Sequence, residues 1–266
     1  MKIEGLILVA KSAGETLLKY FRRERIPHKE KSGKSDLVTE ADLAAQEKIT
    51  EELARLHPDT PVIGEEGKRE HEEGSYFLVD PLDGTLNFFH GIPYFSVSIA
   101  LMEGREPIAG VVHAPALNET FYAVRGGGAY FNGEKLNLSS DIQLPNAIAV
   151  TGWPYDKRFI QWTEETLLLM QSKVQEVRIM GSAALETCYV AAGFIDVYWE
   201  VGLYPWDLAA GAIILKEAGG VVVDVEGDSF TLSSGRIVAC SNCSICEEVL
   251  SILKKVGTTG FMNTNK

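Results

Sequence analysis

The 266-residue chain has only four cysteines and no apolar run approaching the roughly 18 to 20 residues that a membrane span needs. Basic residues are also scarce: 25 Lys and Arg face 37 Asp and Glu, for a net charge of −12. Such a surface repels phosphate backbones, which excludes broad nonspecific nucleic-acid binding. Neither internal repeats nor low-complexity segments appear. The N-terminal stretch carries an acid at Glu4 and only a short apolar run with no small-residue cleavage site after it. It therefore reads as an amphipathic helix rather than a signal peptide, and a cytoplasmic protein is expected. What is present is a globular balance, 45% hydrophobic and 23% charged, which excludes a disordered chain. The length suits one large domain or two moderate ones, with ample core to fold without staples. The acidity sets a condition on function. A site in this protein holds an anionic substrate only through metal ions or backbone dipoles.

Three of the cysteines, Cys240, Cys243 and Cys246, form C-x-x-C-x-x-C, a spacing that invites a zinc or iron–sulfur reading. Cys188 is the only cysteine left for a fourth ligand. Cys240 ends a strand read over 236–240, while Cys243 and Cys246 fall at the start of the closing helix. Side chains leaving a strand end and a helix start diverge, which is poor geometry for a shared metal. Free thiols or one disulfide are expected instead.

Apolar residues at Ile3, Leu6, Ile7, Ala10, Ala13, Leu17, Leu18 and Phe21 give a helical period over 3–21. A polar stretch over 22–35, with Pro27 and Gly33, reads as a loop or hairpin. A second helix is predicted over 39–57, ended by Pro58. Strand-like runs follow over 61–64, 76–80, 95–102, 108–113 and 120–124, with tight turns at Gly126-Gly127-Gly128 and Asn132-Gly133. The second half alternates: strand 147–151, helix 159–170, strand 176–179, helix 183–192, strand 196–200, helix 206–218, strand 221–225 and helix 245–256. The two rhythms predict an α+β domain over 1–140 and an α/β domain over 141–266, divided near Asp141 by a polar stretch with Pro145.

The informative segment is Asp80-Pro81-Leu82-Asp83-Gly84-Thr85. The apolar run before it puts Asp80 at the end of a buried strand, and Pro81 is expected to stop the sheet pairing there. Two carboxylates across this turn can converge on one point. Gly84 permits close backbone approach, and the chain then enters a helical turn whose first N–H groups suit an anion. Asp83 also reads as a simple helix cap, but Asp80 at a buried strand end still needs a partner. Upstream, Gly64-Glu65-Glu66-Gly67 sets two acids after another short strand, where they repel unless a cation or solvent screens them. Thr39-Glu40-Ala41-Asp42 resembles a capping box opening the second helix, with Asp42 able to close the cap, reach a metal, or do both. Asp207 falls in the first turn of a helix, favoured there by the dipole alone. Gly181-Ser182-Ala183-Ala184 precedes another helix as a second anion-suited start, and Glu200 ends a strand. Together these residues suggest Asp and Glu holding hard cations such as Mg²⁺. Two ions about 3.5–4 Å apart would clamp the attacking and leaving oxygens of a phosphoryl group and answer the charge condition.

Gly64-Glu65-Glu66, Asp80-Pro81-Leu82-Asp83-Gly84-Thr85 and Trp206-Asp207-Leu208-Ala209-Ala210-Gly211 resemble the inositol monophosphatase family of Mg²⁺-dependent, lithium-sensitive phosphatases. Order and spacing agree from the Asp36–Asp42 stretch to Glu217-Ala218-Gly219-Gly220, and the Gly181–Ala184 stretch looks most like the bacterial branch. The resemblance implies a five-layered αβαβα sandwich of the inositol monophosphatase and fructose-1,6-bisphosphatase type, usually a homodimer, that hydrolyses a small phosphate monoester. Carried over, Glu65, Asp80 and the Leu82 carbonyl hold a first Mg²⁺, and Asp80, Asp83 and Asp207 a second. A third, weaker ion belongs near Glu65. Glu65 with Thr85 positions and activates the attacking water, and Asp42 supports them. The backbone N–H groups of Gly84 and Thr85 bind phosphate, while Asp83, Glu200, Asp207 and the Gly181, Ser182, Ala183 turn face the inositol hydroxyls. Glu66 is secondary.

The substrate is the open part of that implication. Some relatives also cleave fructose 1,6-bisphosphate or adenosine 3′,5′-bisphosphate, and the basic residues of 22–34 and Arg178 are candidates for meeting a second phosphate. A solvated loop and a surface arginine are the favoured reading of them. Some bacterial relatives carry an RNA- or transcription-associated role, for which the net charge leaves a protein partner rather than direct nucleic-acid contact.

Overall fold

The computed structural model of the chain describes residues 3–23, 28–33, 36–65, 74–138 and 141–257. The first helix, α1 (Ile3–Tyr20), buries Leu6, Val9, Ala10, Ala13 and Leu17 along one stripe. Short strands β1 (His28–Gly33) and β2 (Asp36–Thr39) pair antiparallel, so the expected loop or hairpin is a hairpin. The capping box at Thr39 and Asp42 opens α2 (Glu40–Leu56), whose last cap is His57, just before Pro58.

Next come β3 (Val62–Gly64), β4 (Ser75–Asp83), α3 (Thr85–Phe89), β5 (Ser96–Glu103), β6 (Glu106–Ala114), β7 (Glu119–Val124), β8 (Gly128–Phe131) and β9 (Glu134–Lys135). These seven strands form one sheet in sequence order, antiparallel except for the β3–β4 pair. The second half supplies β10 (Ile148–Thr151), α4 (Ile160–Gln171), β11 (Glu176–Ile179), α5 (Ala183–Ala191), β12 (Val197–Val201), α6 (Pro205–Ala218), β13 (Val221–Val223), β14 (Arg236–Cys240) and α7 (Cys243–Leu253). Their sheet runs β11-β10-β12-β14-β13, with β10 parallel to both neighbours and β14 antiparallel to both of its own.

The cores define the layers. One cluster packs α1 and α2 on the outer face of the seven-stranded sheet, through Leu17, Ile49, Phe77 and Ile99. A second joins the inner face of that sheet to α5, α6 and the inner face of the five-stranded sheet, through Met102, Leu185, Leu208 and Tyr198. A third places α4 and α7 over the outer face, through Trp162, Trp199 and Val249. Read across, the stack is αβαβα, the five-layered sandwich that the resemblance implies. Helix α6 explains its own composition. Lying between two sheets, it buries every residue from Trp206 to Leu215, and so it lacks a polar stripe.

Two expectations change. Pro81 interrupts the pairing of β4 with β5 without ending it: the ladder runs to Asp80 opposite Ser98, shifts register, and resumes with Asp83 opposite Ser96. All four cysteines are free thiols, as expected, but Cys240 and Cys246 do not diverge. Their side chains hydrogen-bond, which pulls the Cys246 thiol down while burial pushes the Cys240 thiol up.

Candidate active site

The register shift in β4 is what gathers the carboxylates. Residues three apart on a regular strand point to opposite faces. Between Asp80 and Asp83 the partner strand advances only two residues, from Ser98 to Ser96, so β4 carries one extra residue as a bulge. Asp80 and Asp83 therefore share a face. Pro81, which has no N–H to offer, fits a bulge where no ladder bond is asked of it. Asp80 Oδ1 accepts from the Leu82 N–H at 2.9 Å, fixing the bulge from inside.

Gly84 turns the chain out of β4 at φ +92°, a conformation that favours glycine. A Cβ there would meet the Gly181 carbonyl at 3.0 Å and the Tyr94 carbonyl at 3.1 Å. Helix α3 starts at once, its first intrahelical bond running from Phe88 N–H to Gly84 C=O at 3.0 Å. Thr85 Oγ1 lies 2.9 Å from the Leu82 carbonyl and 3.1 Å from Asp42 Oδ1, donating its one hydrogen between them. Asp42 is fully buried and uses its two oxygens for different tasks. Oδ2 accepts from Thr39 N–H at 2.8 Å and Thr39 Oγ1 at 2.5 Å to close the α2 cap, while Oδ1 faces Thr85.

From the other half of the chain, the start of α5 closes on Asp83. Asp83 Oδ2 accepts from Ser182 Oγ at 2.6 Å and Ala184 N–H at 2.9 Å, and Oδ1 accepts from Ala183 N–H at 3.2 Å. Asp83 thus does not cap the helix that follows it in sequence; α3 has no side-chain cap. It is the anion at the start of α5. Asp207 sits in the first turn of α6, where its Oδ2 accepts from Tyr204 N–H at 2.8 Å. Ser98 Oγ donates to the Trp206 carbonyl at 3.2 Å and ties that helix start to β5. Glu200, near the end of β12, accepts from the Tyr198 hydroxyl at 2.7 Å.

Asp80, Asp83 and Asp207 are 3%, 7% and 8% exposed. Among the described residues none of them, nor Glu200, pairs with a Lys, Arg or His. Burial holds Asp80 well above the usual carboxylate range, reinforced by the charges of Glu65, Asp83 and Asp207. Asp207 is raised in the same way, by burial and then by Asp83 and Glu65. Burial pushes Asp83 up to about 6 against the hydrogen bonds it accepts, and Glu200 up to about 7. Like charges buried together without a counter-ion keep their protons unless a cation joins them. The donors are all hard oxygens, carboxylates and one carbonyl, which fits Mg²⁺. Among the described residues no three acidic, His or Cys side chains close on one point as they stand. Asp80 and Asp207 each engage one oxygen with a backbone N–H and have the second outside that bond.

The residues singled out in sequence, Glu65, Asp80, Leu82, Asp83, Gly84, Thr85 and Asp207, are thus neighbours, with Asp42 behind Thr85 and the Gly181–Ala183 turn against Asp83. Glu66 and residues 24–27, 34 and 35 of the basic stretch lie outside the described residues. Arg178 is exposed and pairs with Glu176 at 3.3 Å, in keeping with a surface arginine. Sequence reasoning missed four participants. Ser96 lies opposite Asp83 and donates to it at 3.3 Å. Asn87 and Glu186 hold the 180–182 turn. Tyr155, beyond β10, is half-exposed, yet its phenol is raised first by burial and then by Asp207, Asp83, Glu200 and Glu65, so it borders the cluster. Only Glu186 left a trace in the sequence: an acid inside an otherwise apolar helix.

The chain matches the model of the inositol monophosphatase family over residues 3–258. It is 39% identical to the fructose-1,6-bisphosphatase/inositol-1-monophosphatase of Thermotoga maritima, covering 96% of both chains. It is 41% identical to the Nus factor SuhB of Pasteurella multocida over 92% of each. Among solved structures, the extragenic suppressor protein suhB of Bartonella henselae superposes with a TM-score of 0.90 at 36% identity, over 96% of this chain and 99% of that one. A bulged strand that brings Asp80 and Asp83 onto one face beside Asp207, within a five-layered sandwich and with whole-length likeness of this kind, makes the chain a member of the inositol monophosphatase family of phosphatases.

Proposed function

We propose that the protein is a Mg²⁺-dependent phosphatase that hydrolyses myo-inositol 1-phosphate to inositol and phosphate. The observation that carries this reading is the group of Asp80, Asp83 and Asp207, all three raised first by burial and Asp80 and Asp207 further by the charges of Asp83 and Glu65, with no basic side chain paired to the three aspartates among the described residues. Glu65, Asp80 and the Leu82 carbonyl would hold one ion, and Asp80, Asp83 and Asp207 the other. Bound there, Mg²⁺ supplies the positive charge that an acidic cleft needs to accept a phosphate and to stabilise the oxygens of attack and departure. The remaining work falls to the chain. The N–H groups at Gly84 and Thr85, ahead of the first intrahelical bond of α3, face the phosphate oxygens. Glu65 takes the proton of the attacking water, and Thr85, held by Asp42 Oδ1 and the Leu82 carbonyl, orients that water. Glu200 and the Gly181–Ala183 turn meet the hydroxyls of the departing alcohol. Phosphate release with and without Mg²⁺ across a panel of sugar phosphates tests the proposal. Activity that ignores Mg²⁺, or that favours another ester throughout, overturns it.

A second reading, fructose 1,6-bisphosphate as sole or additional substrate, is favoured by the name of the Thermotoga maritima relative. The ratio of kcat/KM for the two esters decides between them. A partner-binding role, suggested by the relative named Nus factor SuhB, predicts a pull-down that survives Asp83→Asn.

A further inference from the structure

We infer that Glu186 and Asn87 are positioning residues that fix the Met180-Gly181-Ser182 turn from opposite sides and so set how the site grips the alcohol half of its substrate. This rests on the proposed function, which gives that turn its place against the alcohol. Glu186 reaches it from α5: its Oε1 accepts from Gly181 N–H at 2.8 Å and Met180 N–H at 3.2 Å. Asn87 reaches it from α3, in the other half of the chain. Its Nδ2 donates to the Met180 carbonyl at 2.7 Å and to the Tyr94 carbonyl at 2.9 Å. Met180 is therefore held by its N–H from one side and its carbonyl from the other.

The packing leaves the turn little latitude. Gly181 has φ +83°, and a Cβ there would meet the Asn87 amide nitrogen at 3.2 Å. The next residue, Ser182, donates to Asp83 at 2.6 Å, an anchor that neither Glu186 nor Asn87 supplies, so losing either of them frees Met180 and Gly181 while the acidic cluster keeps its own bonds. Glu186 is an expensive way to fill its position. It is fully buried, and its Oε2 is buried with no hydrogen-bond partner. A buried polar atom left unmatched is destabilising, and an apolar side chain would avoid that cost. The carboxyl is explained by what Oε1 holds. Displacing a binding element by a fraction of its own size costs a site far more than it costs a fold.

The test compares Glu186→Ala, Glu186→Gln and Asn87→Ala in the Mg²⁺-loaded enzyme on two esters. One is myo-inositol 1-phosphate; the other is p-nitrophenyl phosphate, whose leaving group has no further hydroxyls. The expected result is a rise in KM for the inositol ester of about tenfold or more for both alanine variants. Aryl phosphate turnover and the affinity for inorganic phosphate stay near wild type, and Glu186→Gln, which keeps the acceptor, restores most of the loss. A parallel loss on both esters, or no loss on either, overturns the inference. Should Glu186→Ala fail to fold, Asn87→Ala and Glu186→Gln decide alone. The wild-type arm separates the two levels: wild type inactive on the inositol ester sinks the proposed function, whereas variant-to-wild-type ratios judge the positioning role.

Discussion

Thr85 Oγ1 lies 3.1 Å from Asp42 Oδ1, a contact that joins the start of α3 to the start of α2 across 43 positions of sequence. The same carboxylate closes the α2 cap with its other oxygen, so its geometry is fixed twice over. Thr85→Val removes the hydroxyl and keeps the shape. We expect kcat/KM to fall about 10- to 100-fold with little change in Tm, and Thr85→Ser to recover most of it. Asp42→Ala loses both activity and stability, since Thr39 N–H and Oγ1 lose the oxygen that accepts from them. Steady-state kinetics beside thermal melts check the pair.

Removing one charge from the acidic cluster has opposite consequences for stability and activity. Asp80 is raised by burial and by three neighbouring acids, and Asn in its place keeps the Oδ1 acceptor for Leu82 N–H. In EDTA at pH 8, Asp80→Asn melts higher than wild type, because a buried repulsion is gone. With Mg²⁺ present the wild type gains stability and the variant does not, and activity drops by about 100-fold or more. An Asp80→Asn protein that still gains Tm from Mg²⁺ contradicts the assignment.

The pH dependence has a definite sign. Asp83 and Glu200 titrate at about 6 and about 7 in the folded protein, above their ordinary values. The folded state therefore binds more protons than the unfolded state between about pH 4 and 7, and stability without metal falls as pH rises through that window. Mg²⁺ competes with protons for the oxygens of Asp83, so its stabilising effect grows from pH 5 to pH 8. Melting curves in EDTA and in Mg²⁺ at both pH values test this; a Mg²⁺ effect larger at pH 5 would refute it.

Gly84 at φ +92° has two carbonyls within 3.1 Å of any Cβ placed on it. Gly84→Ala is expected to cost about 1 kcal/mol or more from backbone strain and to separate α3 from the Gly181 turn, abolishing most activity. Denaturant melts and the substrate panel measure the two effects.

Much of this architecture was legible from hydrophobic rhythm. The helical stripe of α1, the capping box of α2 and the alternation of the second half all reappear, because each is decided by local chemistry. Pro81 shows the limit. Its missing N–H correctly signals disturbed pairing, but whether a strand ends or bulges depends on the register of β5, which lies in another segment. Asp83 is a second case. Its sequence neighbours suggest a cap for α3, and only the fold brings the start of α5 close enough to take it. Asn87 was invisible for the same reason, since its bond goes to a turn about 90 residues away, whereas Glu186, only five residues from Gly181, showed as an acid in an apolar helix without showing what it holds.

The central claim is that folding gathers acids which are charged together only around divalent ions. Anomalous diffraction from crystals soaked in Mn²⁺ as a stand-in for Mg²⁺ tests it most directly. The account predicts two peaks, one touching Glu65, Asp80 and the Leu82 carbonyl and one touching Asp80, Asp83 and Asp207. Saturating Mn²⁺ with no density among these residues, or with ions bound elsewhere while activity persists, would contradict it.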